Sequence, residues 1–101
     1  MSVAAIIERA ARHTGLSADD ILGSSPEPQL VHARQAIMAA CVGSGYGSGR
    51  DVDWTRTYRA VARRLHRDHK TIVRGVRSAE RRAKEDPEYA SLIAVLKDGA
   101  R

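Results

Sequence analysis

The sequence contains no phenylalanine, one tryptophan and three tyrosines in 101 residues. Its hydrophobic fraction of 43% is therefore mostly Ala, Val, Leu and Ile. This fraction is typical of a globular chain rather than a disordered one, and small aliphatic side chains suit closely packed helices. A chain of this length forms one domain with a modest core. We therefore expect a single helical domain over residues 1–101.

Cysteine and long apolar runs are also scarce. One cysteine, Cys41, cannot form an internal disulfide, so the sequence does not call for an oxidising compartment. No stretch approaches the ~20 apolar residues that a membrane span needs. Glu8 and Arg9 interrupt the N-terminal apolar segment too early for a signal peptide. We expect a cytoplasmic protein with no membrane partner.

Enzyme and cofactor motifs are missing as well. The glycine-rich segment "GSGYGSGRD" fits neither a dinucleotide-binding nor a phosphate-binding loop, because Ser48 stands where a third glycine is needed and no Gly-Lys-Ser/Thr follows. We interpret residues 43–53 as a flexible connector. His66 and His69 have no accompanying metal-binding pattern, and no nucleophile motif is present. We predict no catalytic activity, no metal or other cofactor, and no small-molecule substrate.

Apolar residues recur at helical spacing along nearly the whole chain. The pattern predicts about six helices, the first ended by Gly15 in the usual C-cap role. The predicted buried faces are Val3, Ile6, Ile7 and Ala10; Leu30, Ala33, Ile37, Ala40 and Cys41; Trp54, Tyr58, Val61 and Leu65; Ile72, Val73, Val76 and Ala79 or Ala83; and Tyr89, Leu92, Ile93 and Leu96. The sequence therefore predicts an all-α fold.

Capping residues stand at several of the predicted helix ends. Ser17 is followed three residues later by Asp20, which is the spacing of a capping box. Pro28 suits the first turn of a third helix, where its missing N–H is no loss. Asp86 is placed to cap the last helix, and Gly99 closes it. These residues fix where we expect the helices to begin and end.

Positive charge exceeds negative charge. The chain has 17 Lys and Arg against 12 Asp and Glu, a net charge of +5, and its isoelectric point is near 10.0. A basic domain of this size favours an acidic partner such as a nucleic acid. The arginine run at 74–82 is, taken alone, more typical of a solvated helix face that pairs with Glu80 and Glu85.

The segment "LHRDHKTIVRGV", residues 65–76, has many hydrogen-bonding side chains where one predicted helix ends and the next begins. Two helices joined by a short turn, the second opening with Asp68, His69 and Lys70, form the layout of a helix-turn-helix motif, whose second helix contacts base edges. Asp accepts from cytosine N4, His bonds purine N7 or O6, and Lys reaches guanine or a phosphate. Asp68 could alternatively be no more than an N-cap.

Four segments carry a more specific pattern: "RDHKTIVRGV", "IIERAARHTGLSADDILG", "VHARQAIMAA" and the Asp-Pro-Glu at 86–88. Together they resemble the C-terminal DNA-binding domain (domain IV) of the bacterial replication initiator DnaA, in which the recognition helix begins Arg-Asp-His-Thr-Thr-Val. The resemblance covers nearly the whole chain. It implies an all-α helix-turn-helix fold, similar to that of the Trp repressor, and double-stranded DNA as the partner.

The resemblance also implies which residues touch DNA. We expect base contacts from Asp68 and His69, and from Lys70 at a position where the family has Thr. Arg34 and Thr71 match family positions that hold phosphates, and neighbouring polar residues complete the expected phosphate-binding set: Arg34, Gln35, Arg67, Thr71 and Arg74.

Two departures from the family leave alternatives open. Pro26 and Glu27 stand where the family carries basic residues, and the ATPase module of full initiators is absent from this sequence. The chain therefore resembles a stand-alone paralogue, of chromosomal, phage or plasmid origin, that controls replication initiation or transcription. The alternative is a protein-interaction module that regulates the replication initiator machinery, with DNA binding weak or lost.

Overall fold

The computed structural model describes residues 3–43 and 54–99 of the chain. These ranges form six α-helices and no strand: α1 (Val3–Thr14), α2 (Ala18–Leu22), α3 (Pro28–Gly43), α4 (Trp54–Leu65), α5 (His69–Glu85) and α6 (Pro87–Gly99). The predicted all-α fold is confirmed. The connector predicted at 43–53 lies, beyond Gly43, outside the described residues. None of the helices in the described ranges is long and apolar enough to cross a membrane.

α3 lies at the centre of the fold. Pro28 is its first residue, as predicted, and the helix contacts each of the other five. All five residues of its predicted stripe are buried, but so are five others: Arg34 beside that stripe, and Ala36, Met38, Ala39 and Val42 on the remaining faces. The sequence predicted one buried face. The helix is enclosed more completely because α1, α5 and α6 all pack against it.

The caps predicted at Gly15, Ser17 and Asp86 are formed. Gly15 has a φ of 77° and donates its N–H to the carbonyl of Ala11 at 2.9 Å, which ends α1. Ser17 Oγ accepts the N–H of Asp20 at 3.0 Å. Asp86 Oδ1 accepts the N–H of Glu88 at 3.0 Å and that of Tyr89 at 3.2 Å. Each side chain satisfies backbone N–H groups that a helix start leaves unpaired.

The outer helices bury most of their predicted faces. All four residues predicted for α1 are buried. Val61 and Leu65 of α4 are buried, Tyr58 is half-buried against the core, and the side chain of Trp54 lies outside the described residues. On α6, Tyr89, Ile93 and Leu96 are buried, whereas Leu92 is half-buried.

α5 packs directly against α3. Ile72, Val76 and Ala79 are buried as predicted, but Val73 is only half-buried and the fourth buried position of the helix is Gly75. A Cβ atom at Gly75 would overlap Sδ of Met38 on α3. The glycine therefore permits the close approach of the two helices.

Candidate nucleic-acid interface

A turn of three residues, 66–68, connects α4 to α5. His66 has a φ of 54°, in the left-handed region that histidine adopts more readily than most non-glycine residues. The N–H of Arg67 donates to the carbonyl of Ala62 at 3.0 Å. A left-handed residue followed by this hydrogen bond is the Schellman arrangement that ends many helices. It stops α4 sharply and brings the start of α5 close to the end of α4.

Asp68 is the N-cap of α5. Its Oδ1 accepts the N–H of Thr71 at 2.7 Å, and hydrogen bonding from Thr71 holds the pKa of Asp68 below its usual value. Asp68 therefore does cap the helix, and whether it is no more than a cap stays open. The side chain is fully exposed beyond this bond. A base contact by Asp68 stays a prediction, and it would have to coexist with the cap.

His69 and Lys70 are exposed in the first turn of α5. The ring of His69 meets the ring of Tyr58 on α4 edge to face, with centroids 5.7 Å apart and an interplanar angle of 85°. The three residues predicted to contact bases, Asp68, His69 and Lys70, thus lie together on the surface at one helix end.

The five residues predicted to contact phosphates line one groove between α3 and α5. They come from separate parts of the chain: Arg34 and Gln35 lie on α3, Arg67 in the turn, and Thr71 and Arg74 on α5. The groove has a volume of about 300 Å³, and its remaining lining residues are Val31, Met38, Gly75 and Ser78. The fold therefore assembles three arginines, an amide and two hydroxyl groups beside the exposed first turn of α5.

Arg34 has a structural role that the sequence did not predict. Its side chain is 7% exposed. Nε donates to the carbonyl of Ile21 at 2.6 Å, Nη1 to that of Ser25 at 2.6 Å, and Nη2 to that of Asp20 at 2.8 Å. Burial lowers the pKa of Arg34, with a further lowering from the charge of Arg67. A guanidinium has five N–H donors and stays protonated, so Arg34 keeps donors for the groove after these three bonds.

Arg67, in the turn, bonds the segment that follows α2. Its Nη2 donates to the carbonyl of Gly23, and its Nη1 donates to those of Leu65 at 3.0 Å and His66 at 3.3 Å. Gly23 directly follows α2, so Arg67 connects the end of α2 to the turn that precedes α5. The predicted phosphate contacts of Arg34 and Arg67 stay predictions, and both side chains also hold the site together.

Basic side chains continue along the exposed side of α5. Lys70, Arg74, Arg77 and Arg81 are all exposed and follow at intervals of four, three and four residues, which places them on one side of a helix. Within the described residues none of them is in an ion pair, so the expected pairing with Glu80 and Glu85 is not formed. The positive charge of this side is therefore available to an anionic partner.

Two observations concern metal-binding residues and the single cysteine. In residues 3–43 and 54–99, no group of three His, Cys, Asp or Glu side chains is placed to hold a metal ion. Cys41 is buried in the core, as predicted, and burial raises the pKa of its thiol to about 12. A thiol in this state is a poor nucleophile.

Sequence reasoning missed two residues near the interface. The sequence favours the core over a base-stacking platform for Tyr58, and nothing in the spacing within α4 indicates its contact with His69. Ser78 could have been found, because Thr71, Arg74 and Ser78 are spaced to share one side of α5. No family model, no curated protein and no solved structure matches this chain, so the residues themselves carry the assignment of function.

Proposed function

We propose that the chain binds double-stranded DNA through α4, the turn and α5, with the first turn of α5 in the major groove. In a helix-turn-helix protein the N-terminal residues of the second helix contact base edges, while the first helix crosses the backbone. Asp68, His69 and Lys70 are exposed at the corresponding position. A basic chain with a net charge of +5 suits such a partner.

The observation that carries the proposal is the shared groove of Arg34, Gln35, Arg67, Thr71 and Arg74. These residues were predicted from two distant sequence segments, and the fold brings them to one surface next to the predicted base-contacting residues. Phosphate contacts of this kind set the register and orientation of a protein on the duplex, whereas base contacts carry the sequence preference. The N-terminus of α5 adds its own attraction for phosphate.

Each predicted base contact has a matching chemistry. The carboxylate of Asp68 can accept from the N4 amino group of cytosine, the imidazole of His69 can bond N7 or O6 of a purine, and Lys70 can donate to guanine. The resemblance described above points to a DnaA box as the first site to test. It also points to control of replication initiation or of transcription, in the cytoplasm, as the biological role.

A second function, a module that binds proteins of the replication initiator machinery, has specific support. Arg34 and Arg67 already donate to backbone carbonyls, which leaves them fewer free donors for phosphates. Pro26 and Glu27 are exposed where the family carries basic residues. These features weaken DNA contacts outside α5. They leave the exposed cations of α5 itself unaffected.

A binding comparison separates the two functions. Labelled duplexes of equal length, one with a DnaA box and one of random sequence, are titrated with the wild-type chain and with three variants. We expect His69→Ala to weaken binding to the preferred duplex by about 1–3 kcal/mol with little effect on the random one, and Arg74→Ala to weaken both. Lys97→Ala, which removes a charge beside a different groove, is the matched control and should change neither. Absence of binding to both duplexes at ~50 mM salt, where non-specific attraction is strong, would favour the protein-interaction module.

A further inference from the structure

Tyr58 is the residue of α4 whose ring meets His69. The two ring centroids are 5.7 Å apart and the ring planes are nearly perpendicular, at 85°. Tyr58 is half-buried and packs against the core cluster, whereas His69 is exposed. The ring of Tyr58 is therefore held by the fold, and the exposed ring of His69 rests against it.

An exposed histidine at the first position of a helix otherwise samples several rotamers. Recognition of a base requires one of them, because a hydrogen bond to a purine edge depends on the direction of the imidazole nitrogen. An edge-to-face aromatic contact contributes about 0.5–1.5 kcal/mol beyond burial, which corresponds to a bias of about 2- to 12-fold toward the rotamer that makes it.

We propose that Tyr58 is a positioning residue for base recognition: its ring orients the imidazole of His69 before DNA arrives, and so sets the sequence preference without touching DNA. This inference rests on the proposed function, since it assumes that His69 contacts a base. Tyr58 meets His69 through its ring. The Tyr58 hydroxyl has no hydrogen-bond partner within the described residues. Phenylalanine should therefore substitute for tyrosine, and an aliphatic residue should not.

The test uses the duplex that the wild-type chain selects from a randomised pool, together with a random-sequence duplex. The measured quantity is the ratio of the two affinities for wild type, Tyr58→Phe, Tyr58→Leu, His69→Ala and the double variant Tyr58→Leu/His69→Ala. We expect Tyr58→Leu to lower the ratio by about 2- to 12-fold, Tyr58→Phe to retain it, and the double variant to match His69→Ala. Affinity for the random duplex should stay the same in all of them.

A second measurement needs no variant. In the NMR spectrum of the free wild-type chain, we expect nuclear Overhauser contacts between the ring protons of Tyr58 and His69. Absence of these contacts overturns the inference. So does an affinity ratio that Tyr58→Leu leaves unchanged while His69→Ala lowers it. The proposed function survives both results. If the wild-type chain binds no DNA, the proposed function and this inference are overturned together.

Discussion

Arg34 and Arg67 donate hydrogen bonds to carbonyls of the same short segment, residues 20–25, although one lies on α3 and the other in the turn before α5. The segment contains the end of α2, where carbonyl groups have no partners within the helix. Arg34 bonds the carbonyls of Asp20 and Ile21 in α2, Arg67 bonds that of Gly23 directly after it, and both cations complement the helix dipole. The position of the turn, and with it the first turn of α5, is therefore fixed partly by a five-residue helix elsewhere in the sequence.

Arg34→Ala should destabilise the fold as well as weaken DNA binding. Three hydrogen bonds from a buried guanidinium are lost, each worth about 1.5–3 kcal/mol but not additive within one network, so we expect a loss of at least about 3 kcal/mol in the free energy of unfolding. Arg34→Lys should recover only part of it, because an ammonium cannot reproduce the planar fork. Chemical denaturation monitored by circular dichroism measures the change. Arg74→Ala, at an exposed position, is the control and should leave stability almost unchanged. Equal stability of wild type and Arg34→Ala would show that these bonds do not hold the loop.

Substitutions at Asp68 separate its capping role from its predicted role in base recognition. Asp68→Asn keeps a capping oxygen but replaces the group that would accept from cytosine. We expect Asp68→Asn to retain most of the thermal stability and to change the preferred DNA sequence, and Asp68→Ala to lower both stability and preference. Thermal melting and site selection measure the two effects. An unchanged sequence preference in Asp68→Asn would mean that Asp68 is a cap only.

The Asp68 cap should also make the stability of the fold depend on pH, in a direction that its lowered pKa determines. Hydrogen bonding from Thr71 holds the pKa of folded Asp68 below its ordinary value of 3.8. The ionised cap therefore stabilises the fold above that value, and this contribution is lost as the pH falls through the lower pKa of the folded state. The difference in melting temperature between wild type and Asp68→Ala should shrink below about pH 4. A difference that stayed constant down to pH 2 would contradict a charged cap.

Much of the fold follows from local sequence signals. Two helix starts are marked by Ser17 and Asp86, whose side chains accept backbone N–H groups nearby. One helix end is marked by Gly15, which adopts a positive φ. The buried faces of α1 and α6 follow from apolar spacing in the same way. The candidate site could be predicted as far as the exposed residues of α5, because a capped helix start is recognisable without tertiary contacts.

Features that depend on distant partners could not be predicted. The burial of Arg34 is the main example, since charge usually indicates exposure and its three acceptors lie in α2 and in the loop after it. A weak signal existed, because Arg34 falls four residues after Leu30 and three before Ile37, on the buried stripe of α3. The contact between Tyr58 and His69 gives no such signal. It arises only from the way the turn brings α4 and α5 together.

The approach of α5 to α3 should be sensitive to a single methyl group. Gly75→Ala places a Cβ against Sδ of Met38, which is 3% exposed and has little room to move. Overpacking costs about 1–3 kcal/mol, against a gain of about 1 kcal/mol in helix propensity, so we expect a net loss of stability of about 1 kcal/mol. In a Met38→Ala background the same substitution should instead stabilise the protein, because the clash is gone. Denaturant titration of the four proteins of this cycle measures the coupling. Additive effects would show that Gly75 and Met38 do not compete for space.

Tyr89 should give the fold an alkaline pH dependence. Its hydroxyl donates to the carbonyl of His32 at 2.6 Å, and burial raises its pKa to about 12 from the ordinary 10.0. The folded state thus retains the phenol proton to a higher pH than the unfolded state does. The stabilisation that the Tyr89 hydroxyl gives the fold is therefore present below pH 10 and is lost as the pH rises toward 12. We expect Tyr89→Phe to be less stable by about 1 kcal/mol at pH 8 and closer to wild type at pH 11. Denaturant titration at the two pH values measures this. A stability difference between the two proteins that widened above pH 10 would contradict the raised pKa.

Salt dependence of DNA binding tests the central claim most directly. If α5 and the groove neutralise about four to six phosphates, the logarithm of the association constant should fall with the logarithm of salt concentration at a slope of about −4 to −5. Arg74→Ala, which removes one of these cations, should make the slope less negative by about 1, while Lys97→Ala leaves it unchanged. A wild-type slope near zero, or no binding at ~50 mM salt, would contradict the proposal that this surface binds DNA.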